Sequence, residues 1–539
     1  NPPFSSLSDN RGSWITGLVR GSREQPGYVI AGEDRLAEKK TWLHDDYVKF
    51  LRLAQWHVEE AGHGIAAFVT NHGYLDNATF RLLRKELLRV FRRLLIVDLH
   101  GNRKKGETAP GGGPDENIFG LDQGVALGVF SRPTPTRSVG KATFAQAGRA
   151  SEESGCVEHT ELWGSRDYKL SQLADSSLAS RVRVLTPQAP EWRFVPHLGT
   201  SHPEYDDGWL LTDLMPVNTS APVTARDHFV VAFTREELHE RIEQFRDLSI
   251  PDDEIRNRWF TRTRSARYQP GDTRGWKLSE ARRVIAALSD WKSHIVRCLY
   301  RPFDWRYVFW HPAMIDWPRT EVTRHLLSSS PSLPLSSSPR LCLLTRRQQL
   351  PTQPCTYFWV AEGLALDGVI RSDNRGSESL FPLWLREGET CRPNFAPQFL
   401  EELAVRLGQP VSPEALFGYL YALFHWPSYR ERYAEPLRGG FPRVIPPRNA
   451  DQLAALGDFG WRLIGLHCLR GLNAEPTSGG ETDYGEPFRV GGYDLPRKWL
   501  QPKHRDAADP HYRQIVAAIR ETRALLPRIE ALLGNDFLN

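Results

Sequence analysis

Apolar positions recur at helical spacing over residues 45–61. Val48, Leu51, Gln55 and Val58 share one face behind the acidic pair Asp45 and Asp46, and Gly62 and Gly64 break the pattern. A run of strand length, Ile65 to Thr70, comes next. It is followed by a polar loop, Asn71 to Asp76, and a second helix with Phe80, Leu83, Leu87 and Phe91 on one face. Leu94 to Leu99 and Val125 to Phe130 are two more strand-like runs, with a Gly-rich loop, Gly101 to Pro114, between them. This rhythm predicts an α/β sheet with at least some parallel strands. Ligands of such sheets bind at the carboxyl ends of strands, here on loops 71–76 and 99–119.

Beyond this block the pattern changes. Residues 134–180 are rich in Ser, Gly and Thr and read as linker or irregular surface. From 180 to 400, short apolar runs (Val182–Leu185, Phe229–Phe233, Leu341–Thr345) alternate with expected helices at 234–247 and 278–297, which is α+β material. Ser328 to Pro339 is low in complexity and reads as an exposed loop. Helices dominate after 398, at 398–406, 413–424, 450–471 and 510–533, with a kink expected at Pro527.

Composition narrows the class. The chain has 539 residues, 40% hydrophobic, which excludes a mainly disordered protein. No run approaches the roughly 18 apolar residues of a membrane span. The six cysteines are dispersed without a C-x-x-C pair, so no metal site or disulfide framework is expected, and a reducing cytoplasm suits them. The net charge of +4 decides nothing at this length, so local clusters must. Arg outnumbers Lys by 57 to 12, which reflects either genome composition or a use for bidentate contacts to phosphate and base edges.

The sharpest chemical signal is Asn1-Pro2-Pro3-Phe4. Methyl transfer to the exocyclic amine of adenine needs acceptors that grip the NH2 group, and a base extruded from the duplex. It also needs an aromatic face on which that base stacks. The Asn1 amide oxygen and a carbonyl held by the rigid Pro2-Pro3 turn are candidate acceptors, and Phe4 is a candidate platform. Four residues also read as an ordinary proline turn after a strand. His72, His100 and Asp76 suggest a general base, but methyl transfer from a sulfonium needs little base assistance. No Ser-His-Asp or metal constellation stands out.

The segments 1–4, 45–76 and 117–130 together resemble the second half of the N6-adenine amino-methyltransferase domain. Residues 68–88 (FVTNHGYLDNATFRLLRKELL) and 96–130 are similar to the type ISP restriction–modification enzymes, as are the blocks at 300–310, 381–385, 413–433 and 489–505. The resemblance covers most of the chain in order. It implies that a flipped adenine is held between Phe4 and Phe119, with methyl supplied by S-adenosylmethionine. It also implies a cofactor-binding half upstream of Asn1, so the chain as given is expected to be inactive alone. ATP and Mg are implied only if translocase and nuclease domains also lie upstream. The expected fold class is therefore α/β, a partial Rossmann-like methyltransferase sheet, followed by an α+β to mostly helical target-recognition domain. The expected boundaries are 1–135 for the methyltransferase half, 136–180 for the linker, 181–400 for the recognition domain and 401–539 for its helical part. The alternative is a DNA-binding specificity module without catalysis.

Two basic clusters bear on double-stranded DNA, the expected partner besides upstream domains of the same polypeptide. From 81 to 105 there are nine basic residues against two acidic. The helical members read as a solvated face, and Arg103, Lys104 and Lys105 read as phosphate contacts at the carboxyl end of a strand. The second cluster is Arg256, Arg258, Arg262, Arg264, Arg267, Arg274 and Lys277, interleaved with Trp259, Phe260, Tyr268 and Trp276. It suits phosphate and groove contacts. Its aromatics read equally well as core.

Overall fold

The structure, a computed structural model, describes the chain except residues 1, 4–7, 11, 23–24, 30–44, 104–106, 108, 111–112, 135–154, 190, 197–201, 262–266, 274, 328–339, 348, 350–353, 372–376, 389, 473–486, 496–508 and 538–539. It divides into two compact units, residues 1–201 and 202–539. The Ser-Pro segment 328–339 lies outside the described residues.

In the first unit, α1 (Ser13–Arg20) packs on α2 (Asp46–Ala61). α2 begins where the Asp45 carboxylate accepts the Tyr47 N–H and ends at Gly62, whose φ of 74° suits a residue without a Cβ. The Val48, Leu51, Gln55 and Val58 face is buried. So is Arg52, whose guanidinium donates to the Leu18 and Pro26 carbonyls and to Glu59. The order continues with β1 (Gly64–Asn71), α3 (Arg81–Val90), β2 (Arg93–Asp98) and β3 (Val125–Arg132).

Residues 156–180 are not the linker expected there. They form β4 (Cys156–Glu161), α4 (Arg166–Ala174) and a short 3-10 turn, ahead of β5 (Arg183–Leu185). The strand order is β1-β3-β2-β4-β5. β3 runs antiparallel to both neighbours and β4 runs parallel to β2, so the sheet is mixed. β1, β2 and β4 therefore point the same way. The register sets Asn71 opposite Val125, and Asp98 opposite both Ala126 and Glu161. Three carboxyl ends thus share one rim. β1 lies at the sheet border: among the described residues it pairs with β3 alone, and Ile65 on it is 75% exposed.

The second unit holds β6 (Trp209–Leu210), β7 (Thr219–Ser220), β8 (Val231–Ala232), β9 (Ile295–Arg301), β10 (Asp304–Phe309), β11 (Leu341–Arg346), β12 (Phe358–Glu362), β13 (Leu364–Ala365) and β14 (Glu378–Pro382). One sheet has the order β13-β9-β10-β8 and another β12-β11-β14-β7. The first shares a core with α5 (Arg235–Arg246), α6 (Asp252–Trp259) and α7 (Leu278–Ala286). The second shares one with α8 (Pro413–His425), α9 (Ala450–His467) and α10 (Pro510–Phe537). The helix expected over 278–297 stops at Ala286, and β-branched Ile295 and Val296 open β9 instead. In α10 the non-helical backbone falls at Gly534, not at Pro527. No helix among the described residues is long and apolar enough to cross a membrane.

α8 and α9 cross closely. A Cβ built on Gly460 would lie 1.8 Å from the Gly418 carbonyl oxygen, so both positions exclude a side chain. Beside this crossing His467 is buried. Its ring stacks on Trp359 (centroids 4.3 Å) and lies in hydrogen-bond reach of the Tyr421 and Thr522 hydroxyls. Burial, with Arg430 nearby, holds its pKa down to about 3. The unfolded chain takes up this proton below about pH 6.5, whereas the folded chain stays neutral down to about pH 3. Stability is therefore lost as pH falls through that window, by about 1.4 kcal/mol per pH unit for this group. His467→Gln is expected to flatten the slope of unfolding free energy against pH by that amount. Urea unfolding at pH 6.5, 5.5 and 4.5 measures it, and an unchanged slope would refute the assignment.

Candidate functional site

The rim of the first unit is built from three turns that leave its parallel strands. After β1, the Asn71 carboxamide accepts the Gly73 N–H at 2.8 Å and donates to Gln123 at 2.7 Å. This ties the first turn to the end of the loop between β2 and β3. After β2 that loop, residues 99–124, is held from within by a buried ion pair, Lys169 on α4 with Asp115 at 2.7 Å. The Lys169 ammonium also donates to the Leu99 and Glu116 carbonyls, and Asp115 accepts the Gly101 and Gly164 N–H groups. Every donor and acceptor of the pair is used, which is what makes a charge tolerable inside a protein. Gly101 has φ of 79° and sits where a Cβ would come within 2.6 Å of the Asn117 Cα.

Asn117 then shapes the tip of the loop. Its side-chain Oδ1 accepts the Phe119 and Leu121 N–H groups, and its side-chain NH2 donates to the Gln123 carbonyl. Phe119 stands on this turn with 47% of its surface exposed. Arg103, in the same loop, is exposed as well.

At the base of the rim lies a buried polar cluster. The His72 ring nitrogen Nδ1 is 3.0 Å from the Asp98 carboxylate, and the His100 Nδ1 is 3.8 Å from its other oxygen. Burial alone would raise the Asp98 pKa, but His72 and His100 outweigh it and hold the carboxyl far below the usual range. The His100 Nε2 faces Glu161 at 3.3 Å, and this contact lowers the Glu161 pKa. His100 stacks on Trp163 and adopts φ of 47°. His72, Asp98 and His100 are close enough to bind one cation together. No metal-ligand constellation is expected from the sequence, and the fold brings these three side chains together. The sheet register brings the three residues together, and Asp98 takes the place considered for Asp76. The sequence signal available was D-L-H-G-N at the end of a strand.

The other expected residues fall as follows. Pro2 is buried and Pro3 exposed, whereas Asn1 and Phe4 lie outside the described residues, as do Lys104, Lys105, Arg262, Arg264 and Arg274. Arg256 is buried and bonded to Asp272 (2.8 Å) and the Pro270 carbonyl (2.5 Å). The guanidinium is thus engaged within the protein, on Asp272 and the Pro270 carbonyl. Phe260 and Trp276 belong to the core. Arg258 and Arg267 are exposed, and Lys277 lies over the Tyr268 ring. In the 81–105 cluster, Arg84 is fully buried on the Tyr74, Asn77 and Glu191 carbonyls. Arg89 pairs with Glu59 and Glu86, and Arg93 with Glu158. The two connections that lead from a parallel strand into a helix, 72–80 and 162–165, carry one glycine each. Neither is a Gly-rich donor loop, so no residue described here is assigned to S-adenosylmethionine.

Comparison with known proteins gives three findings. Residues 213–516 match the Type ISP C-terminal specificity domain. Among solved structures, the cryo-EM DrdV–DNA complex is 21% identical with a TM-score of 0.54, over 88% of this chain and 44% of that one. The ATP-dependent Type ISP restriction-modification enzyme LlaBIII bound to DNA is 16% identical with a TM-score of 0.60, over 98% and 36%. A nuclease-deletion mutant of the Type ISP enzyme LlaGI, in complex with a DNA substrate mimic, is 17% identical with a TM-score of 0.57, over 98% and 44%. At these identities the likeness is one of fold, and the chain spans less than half of each of these structures. No curated protein matches.

Proposed function

This chain belongs to the Type ISP C-terminal specificity domain family, and from that premise we propose that it recognises the DNA target of a restriction–modification enzyme. The match over 213–516 carries this reading. The LlaBIII and LlaGI structures, which share the fold and are complexes with DNA or a DNA mimic, support it. Arg258 and Arg267, exposed residues of the second unit, are the proposed phosphate contacts. Each phosphate neutralised releases counterions, so affinity falls with salt at a log–log slope of about 0.9 per contact. Titration of the chain with duplex DNA at two salt concentrations is expected to show this fall. The double variant Arg258→Ala, Arg267→Ala should reduce the slope by about 2. Absent or salt-insensitive binding would overturn the reading.

A second reading rests on one observation in the first unit, the half-exposed ring of Phe119 on a rim of strand ends. In this reading 1–135 is half of an adenine-N6 methyltransferase domain. Asn1 and the Pro2-Pro3 turn grip the amine, Phe4 and Phe119 enclose the base, and Arg103, with Lys104 and Lys105, meets the backbone. S-adenosylmethionine, and any ATP and Mg, would be bound by other parts of a longer polypeptide. Base–aromatic stacking is worth about 1–3 kcal/mol per base. Phe119→Ala in that polypeptide should then lower methylation kcat/KM roughly tenfold or more, with activity kept by Phe119→Trp. Unchanged kcat/KM in Phe119→Ala would sink this reading.

A further inference from the structure

We propose that His72, Asp98 and His100 form a binding site for one divalent first-row transition-metal ion. The inference rests on the geometry of the first unit and does not depend on the DNA readings above. Ions of this class take imidazole and carboxylate ligands at about 2.0–2.1 Å, so ligand atoms around one ion stand roughly 2.9–3.4 Å apart. Here His72 Nδ1 is 3.0 Å from one Asp98 oxygen, and His100 Nδ1 is 3.8 Å from the other. One donor from each residue lies within 4.8 Å of the others. Two imidazole nitrogens and one carboxylate oxygen favour Zn, Mn, Fe or Co over Mg or Ca, which prefer all-oxygen shells.

Two further observations point to a ligand. The His100 Nδ1 is buried and makes no hydrogen bond, a costly state for a polar atom unless something binds it. The residue also holds a left-handed backbone, φ 47°, and its ring is clamped against Trp163 with centroids 3.4 Å apart. The outer surroundings have the form that metal sites use. Metal-bound imidazoles commonly present their second nitrogen to a carboxylate, which fixes the ring and raises its basicity. His100 does so, with its Nε2 facing Glu161 at 3.3 Å, whereas the His72 Nε2 lies 3.2 Å from the Asn102 carboxamide nitrogen and 3.8 Å from Glu107, beyond hydrogen-bond reach of that carboxylate. The ion would join the ends of β1 and β2, and Glu161 would tie it to β4, all at the rim that carries Phe119.

The competing account is a metal-free network in which the imidazoles hydrogen-bond the carboxylates. The test is calorimetric titration of the chelator-treated 539-residue chain with Zn2+, together with the absorption spectrum after Co2+ addition. One saturable equivalent is expected, with the visible bands of Co2+ in a low-coordinate N/O site. His100→Ala should lose affinity by at least 100-fold. Glu161→Gln, a part-exposed change that leaves all three ligands in place, should lose about 10–100-fold. The proposal is overturned if the folded wild-type chain takes up no saturable equivalent, or if His100→Ala binds as tightly as wild type.

Discussion

Lys169→Met is expected to destabilise the first unit by about 3–5 kcal/mol, the range for removing one partner of a buried ion pair. The substitution leaves Asp115 charged and buried without its counterion, and it removes the donor to the Leu99 and Glu116 carbonyls. A domain is stable by only about 5–15 kcal/mol, so the loss is a large fraction of the whole. Thermal unfolding of the first unit should shift down by roughly 6–20 °C. Hydrogen exchange should show the effect concentrated in residues 99–124. The paired variant Lys169→Met, Asp115→Asn should cost less than the single change, because no bare charge remains. A single variant that loses under 1 kcal/mol would mean that water reaches Asp115, and that the loop is not held by this pair.

Gly460→Ala is the second large effect. Alanine favours an exposed helix over glycine by about 1 kcal/mol, so propensity alone predicts a gain. The new methyl group, however, would lie 1.8 Å from the Gly418 oxygen and 2.4 Å from its carbonyl carbon, both backbone atoms of α8. The helices must separate, and overpacking of this kind costs about 1–3 kcal/mol and at times more. A net loss of roughly 2 kcal/mol is expected. Gly465, in the same helix, has nothing within 4 Å of a built Cβ, so Gly465→Ala should instead stabilise by up to about 1 kcal/mol. Denaturant unfolding of the two variants side by side separates crossing from propensity. If both move the midpoint the same way, the close approach of α8 and α9 is wrong.

The sequence made the first unit legible where one face of an element is apolar. The 48-51-55-58 stripe and the strand-length runs 65–70, 94–99 and 125–130 follow from spacing, and the strands form at 64–71, 93–98 and 125–132. β4 was invisible for a physical reason: Cys156-Val157-Glu158-His159-Thr160-Glu161 has one aliphatic residue, yet His159 and Thr160 are buried beside Val157. A strand buried with polar side chains leaves no alternation to detect. The Arg256 cluster is ambiguous in the sequence for a different reason, since its spacing suits a DNA surface and an amphipathic helix equally. Only burial shows that Arg256 is spent on Asp272. At the candidate site, loop 99–119 was identified from topology. The meeting of His72, Asp98 and His100 was not, because it depends on strand register and on a left-handed residue that no local pattern announces.

The border position of β1 has a consequence for the protein as a colloid. An edge strand offers a row of backbone donors and acceptors to any extended chain it meets, and proteins guard such edges with charge, proline or cover. Gly64-Ile65-Ala66-Ala67-Phe68-Val69-Thr70-Asn71 has no charge and no proline. Its solubility therefore depends on whatever lies along that edge. With the edge bare, association should rise with concentration, and a lysine in place of the outward-facing Ile65 would act as a gatekeeper against it.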